Sequence, residues 1–286
     1  MMNTSYGRGQ NRKTLGWYAG RIALHGALIS LGIIFMLPFA WSISTSLKPF
    51  GDLFSPNPKF LPSHIVWDNY RTVFEKSNFE RFYLNSIIVS VGRTVGQVAI
   101  ASVAAFAFSN LRFRGRDVIF FILLAGLMVP DQVLIVPRFI IMREFGWFDT
   151  YQGLIVPLIF SSFGAFMLRQ YFLGIPKDFQ EAATIEGANP FQVFWQIYLP
   201  LARPALAAFG FLAFLSSWNE FLWGLTVTNS SDMRVIPVGL ALLQGQYFTN
   251  NAVLLAAANL ATIPLLIAFV FFQKHLVEGI TLGGLK

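Results

Sequence analysis

Six stretches of this 286-residue chain are apolar and long enough to cross a bilayer, which takes about 20 helical residues each: 22–47, 82–110, 118–142, 152–173, 204–226 and 250–273. The pattern predicts an all-α polytopic membrane protein of six transmembrane helices. The first run is too long for a signal-peptide core and lacks a small-x-small cleavage site, so it is expected to stay as an anchor. Trp17 and Tyr18 suit one membrane interface and Trp41 the other. Residues 1–21 form a polar, basic N-terminal segment, 22–273 the membrane domain and 274–286 a polar tail.

The polar interruptions carry more information than the runs. Residues 48–81 hold four prolines and mixed charges, and read as an extended extramembrane loop with one short helix near 67–76. In the second run Gly92 and Gly96 form a small-xxx-small pair that lets a neighbouring helix approach. The third is interrupted by Pro130, Asp131, Gln132 and Pro137, which implies a bent helix whose freed backbone groups face protein or a water-filled cavity. Residues 145–151 read as a short aromatic turn, 229–234 as a polar hairpin, and 235–246 as a re-entrant or surface helix.

The longest connection with helical logic is 178–200. Asp178 can cap a short helix with Glu181 three residues on, and Gly187 can end it in a left-handed conformation. Asn189 then suits a second N-cap, Pro190 the first helical position, and Pro200 is expected to stop the run. Two short helices would meet at a bend of small residues, Ala182, Ala183, Gly187 and Ala188, a knuckle that fits closely into a partner's groove.

Composition supports the membrane reading: 55% of residues are hydrophobic, 12% are charged, and the mean hydropathy is +0.57. The net charge of +7 is scattered over helix ends instead of one soluble face, which argues against a nucleic-acid partner. With the N-terminus in the cytoplasm, twelve lysines and arginines, among them Arg112, Arg114, Arg116, Arg169, Lys177 and Arg203, fall on the inner side and eight on the outer, five of those in the loop 48–81. Both termini and the 178–200 loop would then be cytoplasmic. There is no cysteine, and His25, His64 and His275 have no second ligand at helical spacing, so no metal site is expected. Residues 7–14 look like a phosphate-binding loop only superficially, because Arg12 stands where a glycine is required. Without a nucleotide site or a nucleophile constellation, the chain is expected to be no enzyme. A transporter of this kind would draw its energy from a partner ATPase or from an ion gradient, the second being the secondary-transporter class. No internal duplication of the kind common in secondary transporters is seen.

The 181–200 loop resembles a known family. Glu181-Ala182-Ala183, then Gly187, Ala188, Phe194, Ile197 and Leu199-Pro200 fall on the spacing of the EAA loop in permease subunits of binding-protein-dependent ABC importers. Asn85-Ser86, Ser217-Trp218-Asn219-Glu220-Phe221 and the ending Val277 to Lys286 are similar to the carbohydrate-uptake branch, the maltose and glycerol-3-phosphate importer type. The resemblance covers most of residues 20–286. The chain has Glu186 where that branch has Asp, and Arg93 within the second run is outside the expected pattern.

The resemblance implies a transmembrane pathway subunit of an ATP-driven importer of a sugar or sugar-like solute, multi-pass in a bacterial-type inner membrane. Its implied partners are ABC ATPase subunits, a second and different permease subunit, and an extracytoplasmic solute-binding protein. The chain itself would bind no cofactor, ATP being used by the ATPases. Glu181, Ala182, Ala183, Gly187, Ala188, Pro190 and Phe194 are the expected coupling residues. Gly279, Thr281, Gly283 and Gly284 are expected to touch the ATPases from the tail. Trp218, Asn219, Glu220, Asn85 and Asp131 are expected along the pathway, since an ionisable group such as Glu220 costs on the order of 3 kcal/mol at the centre of a span and usually faces a cavity or a partner.

Overall fold

A computed structural model describes residues 15–57, 59–244 and 250–283. All regular structure among them is helical. In chain order the α-helices are α1 (Leu15–Ser46), α2 (Asp68–Lys76), α3 (Phe79–Asn110), α4 (Arg116–Ala125), α5 (Ile135–Glu144), α6 (Tyr151–Ile155), α7 (Ser162–Leu173), α8 (Asp178–Ile185), α9 (Pro190–Val193), α10 (Leu199–Leu201), α11 (Arg203–Trp218), α12 (Leu222–Val227), α13 (Ile236–Leu243) and α14 (Asn251–Gly283). Three segments, Gly20–Ser46, Phe79–Asn110 and Asn251–Lys274, are long and apolar enough to cross a membrane as single helices. Three further helix pairs pass the same test only when taken together, each sharply bent: Arg116–Met128 with Asp131–Glu144 at 94°, Tyr151–Leu158 with Ser162–Leu173 at 45°, and Pro190–Leu201 with Arg203–Trp218 at 78°. The count of six holds if each pair is one crossing.

Each break has a chemical cause. Val129 precedes Pro130 and is driven to an extended conformation (ψ 117°), because the proline ring clashes with a helical predecessor. The expected bend is therefore a near right angle. Pro137, also expected to interrupt, lies in the first turn of α5, where its missing N–H costs nothing. Residues 152–173 are not the continuous span expected: Pro157 spoils the hydrogen-bond ladder, and Ser161 caps a fresh helix by accepting from the Gly164 N–H at 3.1 Å. The expected 204–226 span also stops early. α11 ends at Trp218, and the Glu220 carboxylate accepts the Trp223 N–H at 2.9 Å to start α12.

α3 is the axis of the fold. It packs on α7 and α11, α11 packs on α14, and α14 carries α1 on its outer side. Gly96 and Gly164 set two of these approaches: a side chain on Gly96 would overlap Ile159, and one on Gly164 would overlap the Phe209 ring. The loop 48–67 is more structured than expected. It contains a 3-10 turn, Phe50–Phe54, and its backbone returns to α1 through Val66 N–H to the Leu47 carbonyl at 3.0 Å. Asn69 donates to the carbonyls of Ser46 and Lys48, both at 2.9 Å, closing the end of α1. Most of the rest of α1 is bare: Ile22, Leu24, Ile29, Ile33 and Phe35 are exposed apolar side chains, suited to lipid. α14 continues as helix to Gly283, through the first part of the polar tail that begins at 274.

Candidate functional site

The knuckle at 178–200 follows its sequence logic with two corrections. Ala188 N–H reaches the Ala183 carbonyl at 2.9 Å and Gly187 N–H the Thr184 carbonyl at 3.1 Å, the two bonds of a Schellman stop, with Gly187 at φ 89°. Ala183 and Ala188, the residues that such a stop brings together, both pack on the core below. Asn189 then forms a full capping box with Gln192, 2.9 Å one way and 2.8 Å the other, and Pro190 is the first helical residue. Asp178, however, is not an N-cap. It lies inside α8, Lys177 takes the cap position without a side-chain bond, and the exposed Glu181 carboxylate has no partner among the described residues. Pro200 does not stop the helix either. With no N–H at 200 and a ring that crowds the preceding turn, residues Phe194–Tyr198 widen into a π segment and the helix runs on to Leu201.

Aromatic packing holds the knuckle to the spans. Phe106 of α3 lies 5.3 Å from the Phe194 ring and 5.2 Å from Tyr198, and Phe172 of α7 lies 5.4 Å from Tyr198. Gln180 accepts from Asn110 at 2.7 Å, tying α8 to the end of α3. Phe194, expected at the coupling surface, is 6% exposed and so anchors the knuckle from beneath. The outer face carries instead three residues not singled out from the sequence: Ile185 (87% exposed), Phe191 (70%) and Trp195 (61%), the last two stacked with centroids 6.3 Å apart. Their signal was the i, i+4 aromatic pair on a helix whose other face is Val193, Phe194 and Tyr198. Glu181, Ala182, Gly187 and Pro190 share this exposed region. Ile185 and the stacked Phe191–Trp195 pair thus leave large apolar side chains exposed on the same knuckle as an unpaired carboxylate.

The residues expected along a pathway separate into two groups. Trp218 is core: its indole donates to the Ala261 carbonyl at 3.1 Å, Phe214 stacks on it at 5.7 Å, and Tyr83 meets it edge-on at 5.9 Å, so no ring face is left to offer a solute. Asn85 is fully buried and fully used, donating to the carbonyls of Asp232 and Arg234 and accepting from the Tyr151 hydroxyl at 2.7 Å. In both residues the polar groups are bonded inside the bundle, to backbone carbonyls and, for Asn85, to the Tyr151 hydroxyl as well. Asn219 and Asp131 are exposed and Glu220 half-buried, so these three retain access. Asp131 is paired with Arg138 at 2.6 Å, and the Arg138 guanidinium lies 5.3 Å over the Trp223 ring.

Arg93 now has a physical account. The α6 break frees backbone carbonyls, since Gly153 is four residues before Pro157 and finds no N–H there. Trp223 donates its indole N–H to Gly153 at 2.9 Å, Arg93 donates twice to Leu154 at 2.8 and 2.5 Å, and Gln97 donates to Leu158 at 2.7 Å. Three side chains from α3 and α12 thus satisfy the broken crossing. The void beside them, lined by Ser90, Arg93, Ser217 and Glu220, measures about 10 Å³, the room of one water and far too little for a sugar ring. Of the tail residues expected at a partner, Gly279, Thr281 and Gly283 lie on the last turns of α14, and Gly284 lies outside the described residues.

Comparison with known proteins agrees with this architecture. Residues 97–282 match the family described as "Binding-protein-dependent transport system inner membrane component". The chain is 34% identical to an arabinooligosaccharides transport system permease protein of Bacillus subtilis, over 93% of this chain and 96% of that one. It is 36% identical to a trehalose/maltose transport system permease protein of Thermococcus litoralis, over 93% and 97%. Among solved structures it superposes, with a TM-score of 0.77 and 26% identity over 91% of this chain and 98% of the other, on a chain of a bacterial ABC transporter that imports the acidic polysaccharide alginate. A helical chain of apolar crossings, matched over nearly its whole length to ABC permeases, belongs to the family of inner membrane components of binding-protein-dependent transport systems.

Proposed function

We propose that the chain is a pathway-forming permease subunit of an ATP-driven sugar importer, coupled to ATPase subunits through the knuckle at 178–200. The observation that carries this reading is the exposed patch of Ile185, Phe191 and Trp195 on a rigid double helix whose base is locked to α3 and α7. A docking element that must transmit force needs both an outer face for the partner and an inner face that cannot slip. The knuckle has both. Its partners are ATPase subunits that supply the ATP hydrolysis, a second and different permease subunit, and an extracytoplasmic solute-binding protein. Arabinooligosaccharides and trehalose/maltose in the names of two relatives support a sugar or oligosaccharide as the solute. The distribution of lysine and arginine supports cytoplasmic termini. Closure of the ATPases would draw the knuckles together and switch the pathway between inward and outward access, a rigid-body transition. Asn219, Glu220 and Asp131 are the pathway candidates that remain.

The experiment is co-purification of the ATPase subunit with wild type and with Ile185→Asp, alongside transport in proteoliposomes. Wild type should retain the ATPase and transport sugar on ATP addition. Retention unchanged in Ile185→Asp would remove the knuckle from the mechanism, and uptake driven by an ion gradient without ATP would replace the importer reading altogether.

A further inference from the structure

The turn between α3 and α4 places Arg112, Arg114 and Arg116 within five residues, with Gly115 at φ 83° reversing the chain. Together with Phe113, Asp117 and Val118 they line an open hollow of about 730 Å³. Its charges do not cancel. Arg116 is engaged with Asp117 at 3.0 Å, while the exposed Arg112 and Arg114 have no hydrogen bond or ion pair among the described residues. The wall of the hollow continues directly into apolar surface: Val118 lines it, and Val118, Phe121 and Ile122 of α4 are each about two-thirds exposed. On its other side a second hollow of about 550 Å³ shares Arg112 and Arg116 and reaches Lys177 and Gln180 at the start of α8.

We propose that this basic hollow seats the headgroup of an anionic phospholipid, with the acyl chains lying along the exposed face of α4. Charge complementarity calls for an anion, and two uncompensated guanidiniums suit a phosphate diester, which each can bridge through paired N–H groups. The continuity with α4 selects the source. A free phosphate would leave Val118, Phe121 and Ile122 unused, and an acidic protein segment would have no place beside a lipid-facing helix, whereas a phospholipid matches the polar and the apolar halves at once. Because Arg112 also borders α8, in the hollow it shares with Lys177 and Glu181, the occupied seat would brace the base of the knuckle, so that bilayer charge bears on coupling. This goes beyond the importer reading and does not require it, since lipid selectivity is a property of the chain alone.

The test is native mass spectrometry of the full chain, released from detergent with phosphatidylglycerol or phosphatidylcholine added in turn. Wild type should retain phosphatidylglycerol in preference, and inorganic phosphate should not displace it. Arg112→Gln with Arg114→Gln should weaken that retention about fivefold per arginine, the worth of one basic residue at an anionic surface, while Arg112→Lys with Arg114→Lys should keep most of it. Arg71→Gln, an exposed arginine on α2, should change nothing. Equal retention of the two lipids by wild type, unchanged preference in the double glutamine variant, or displacement by inorganic phosphate would each overturn the proposal. So would loss of ATPase co-purification in the double glutamine variant with its lipid preference intact, which would assign the arginines to a protein contact. If the glutamine variant fails to fold, a lysine variant that folds and has lost the preference overturns the proposal as a seat for charge.

Discussion

Gly187 separates two effects that a sequence cannot separate. A side chain there would meet nothing within 4 Å, so the cost of replacing it is the left-handed backbone, about 1 to 2 kcal/mol for an ordinary residue, and not a collision within the chain. Gly187→Val should therefore insert normally but hold the two knuckle helices at the wrong angle and couple poorly. Gly187→Asn, which tolerates the same backbone, should couple nearly as wild type. Proteoliposome transport and ATP hydrolysis distinguish them, and equal activity of the Val variant would show that the angle does not matter. Glu181, with no partner among the described residues, predicts the complement: Glu181→Gln should leave the melting temperature unmoved, so any loss of coupling would report a contact with the ATPase. Asp149 offers a pH test outside the spans. Burial opposes its ionisation, but the N–H groups of Asn229 and Ser230, the Ser230 hydroxyl and Arg234 outweigh it and hold the carboxyl below its ordinary value of 3.8. A lowered carboxylate stabilises the fold above the unfolded value and stops doing so as pH falls through the folded one. The difference in melting temperature between wild type and Asp149→Asn should be full at neutral pH and shrink only below 3.8; since Asn also tolerates φ 58°, the backbone is kept and the charge and second acceptor oxygen are compared. A difference constant down to pH 2 would assign the effect to shape.

At the level of elements, the broken fourth crossing depends on its clasp. Replacing Arg93 by Met keeps much of the volume but leaves the Leu154 carbonyl without its charged donor, and hydrogen bonds to charged groups contribute about 1.5 to 3 kcal/mol. Arg93→Met should lower thermal stability accordingly and Arg93→Lys less so, as followed by tryptophan fluorescence, with an unshifted melt for Arg93→Met sinking the clasp. How far such elements can be read in advance depends on what decides them. The Schellman stop at Gly187 and the Asn189 capping box are local, set by a few adjacent residues, and both were legible, as was the pairing of Gly92 and Gly96 with a neighbour. Hydropathy located the apolar runs, and Pro130 announced the bend in the third, but the breaks at Pro157 and Asn219 were not legible, since a broken and a straight helix of one composition have the same hydropathy. The π segment ahead of Pro200 carries Phe194 and Tyr198, which pack on Phe106, a residue far upstream in the chain. Asn85, Trp218 and Arg93 were misread or left open because a polar residue in an apolar run has one sequence signature whether it serves a solute or a distant carbonyl. Only the positions of Asp232, Ala261 and Leu154 decide.

At the scale of the whole molecule, the outer face of the knuckle is an apolar surface that the described residues leave uncovered. Docking that fully buries Ile185 and Trp195 would contribute roughly 2 kcal/mol from each side chain by area alone, and anchors of that kind commonly carry 2 kcal/mol or more of an interface. Ile185→Asp with Trp195→Ser should then weaken ATPase association by on the order of a hundredfold or more. The variant should also stay well folded, because both side chains are largely exposed and the anchoring rings, Phe194 and Tyr198, are untouched. Phe194→Ala gives the opposite pattern. Emptying a packed ring site costs about 3 to 5 kcal/mol, so it should lower the melting temperature and loosen the knuckle while leaving the docking face chemically intact. Melting temperature and ATPase co-purification, measured together on the two variants, form a crossed test. The argument for a rigid base beneath a separate docking face requires loss of the partner with stability kept in the first, and loss of stability in the second. If Ile185→Asp with Trp195→Ser were to melt as early as Phe194→Ala, the patch would belong to the fold, and the partner would have to dock elsewhere.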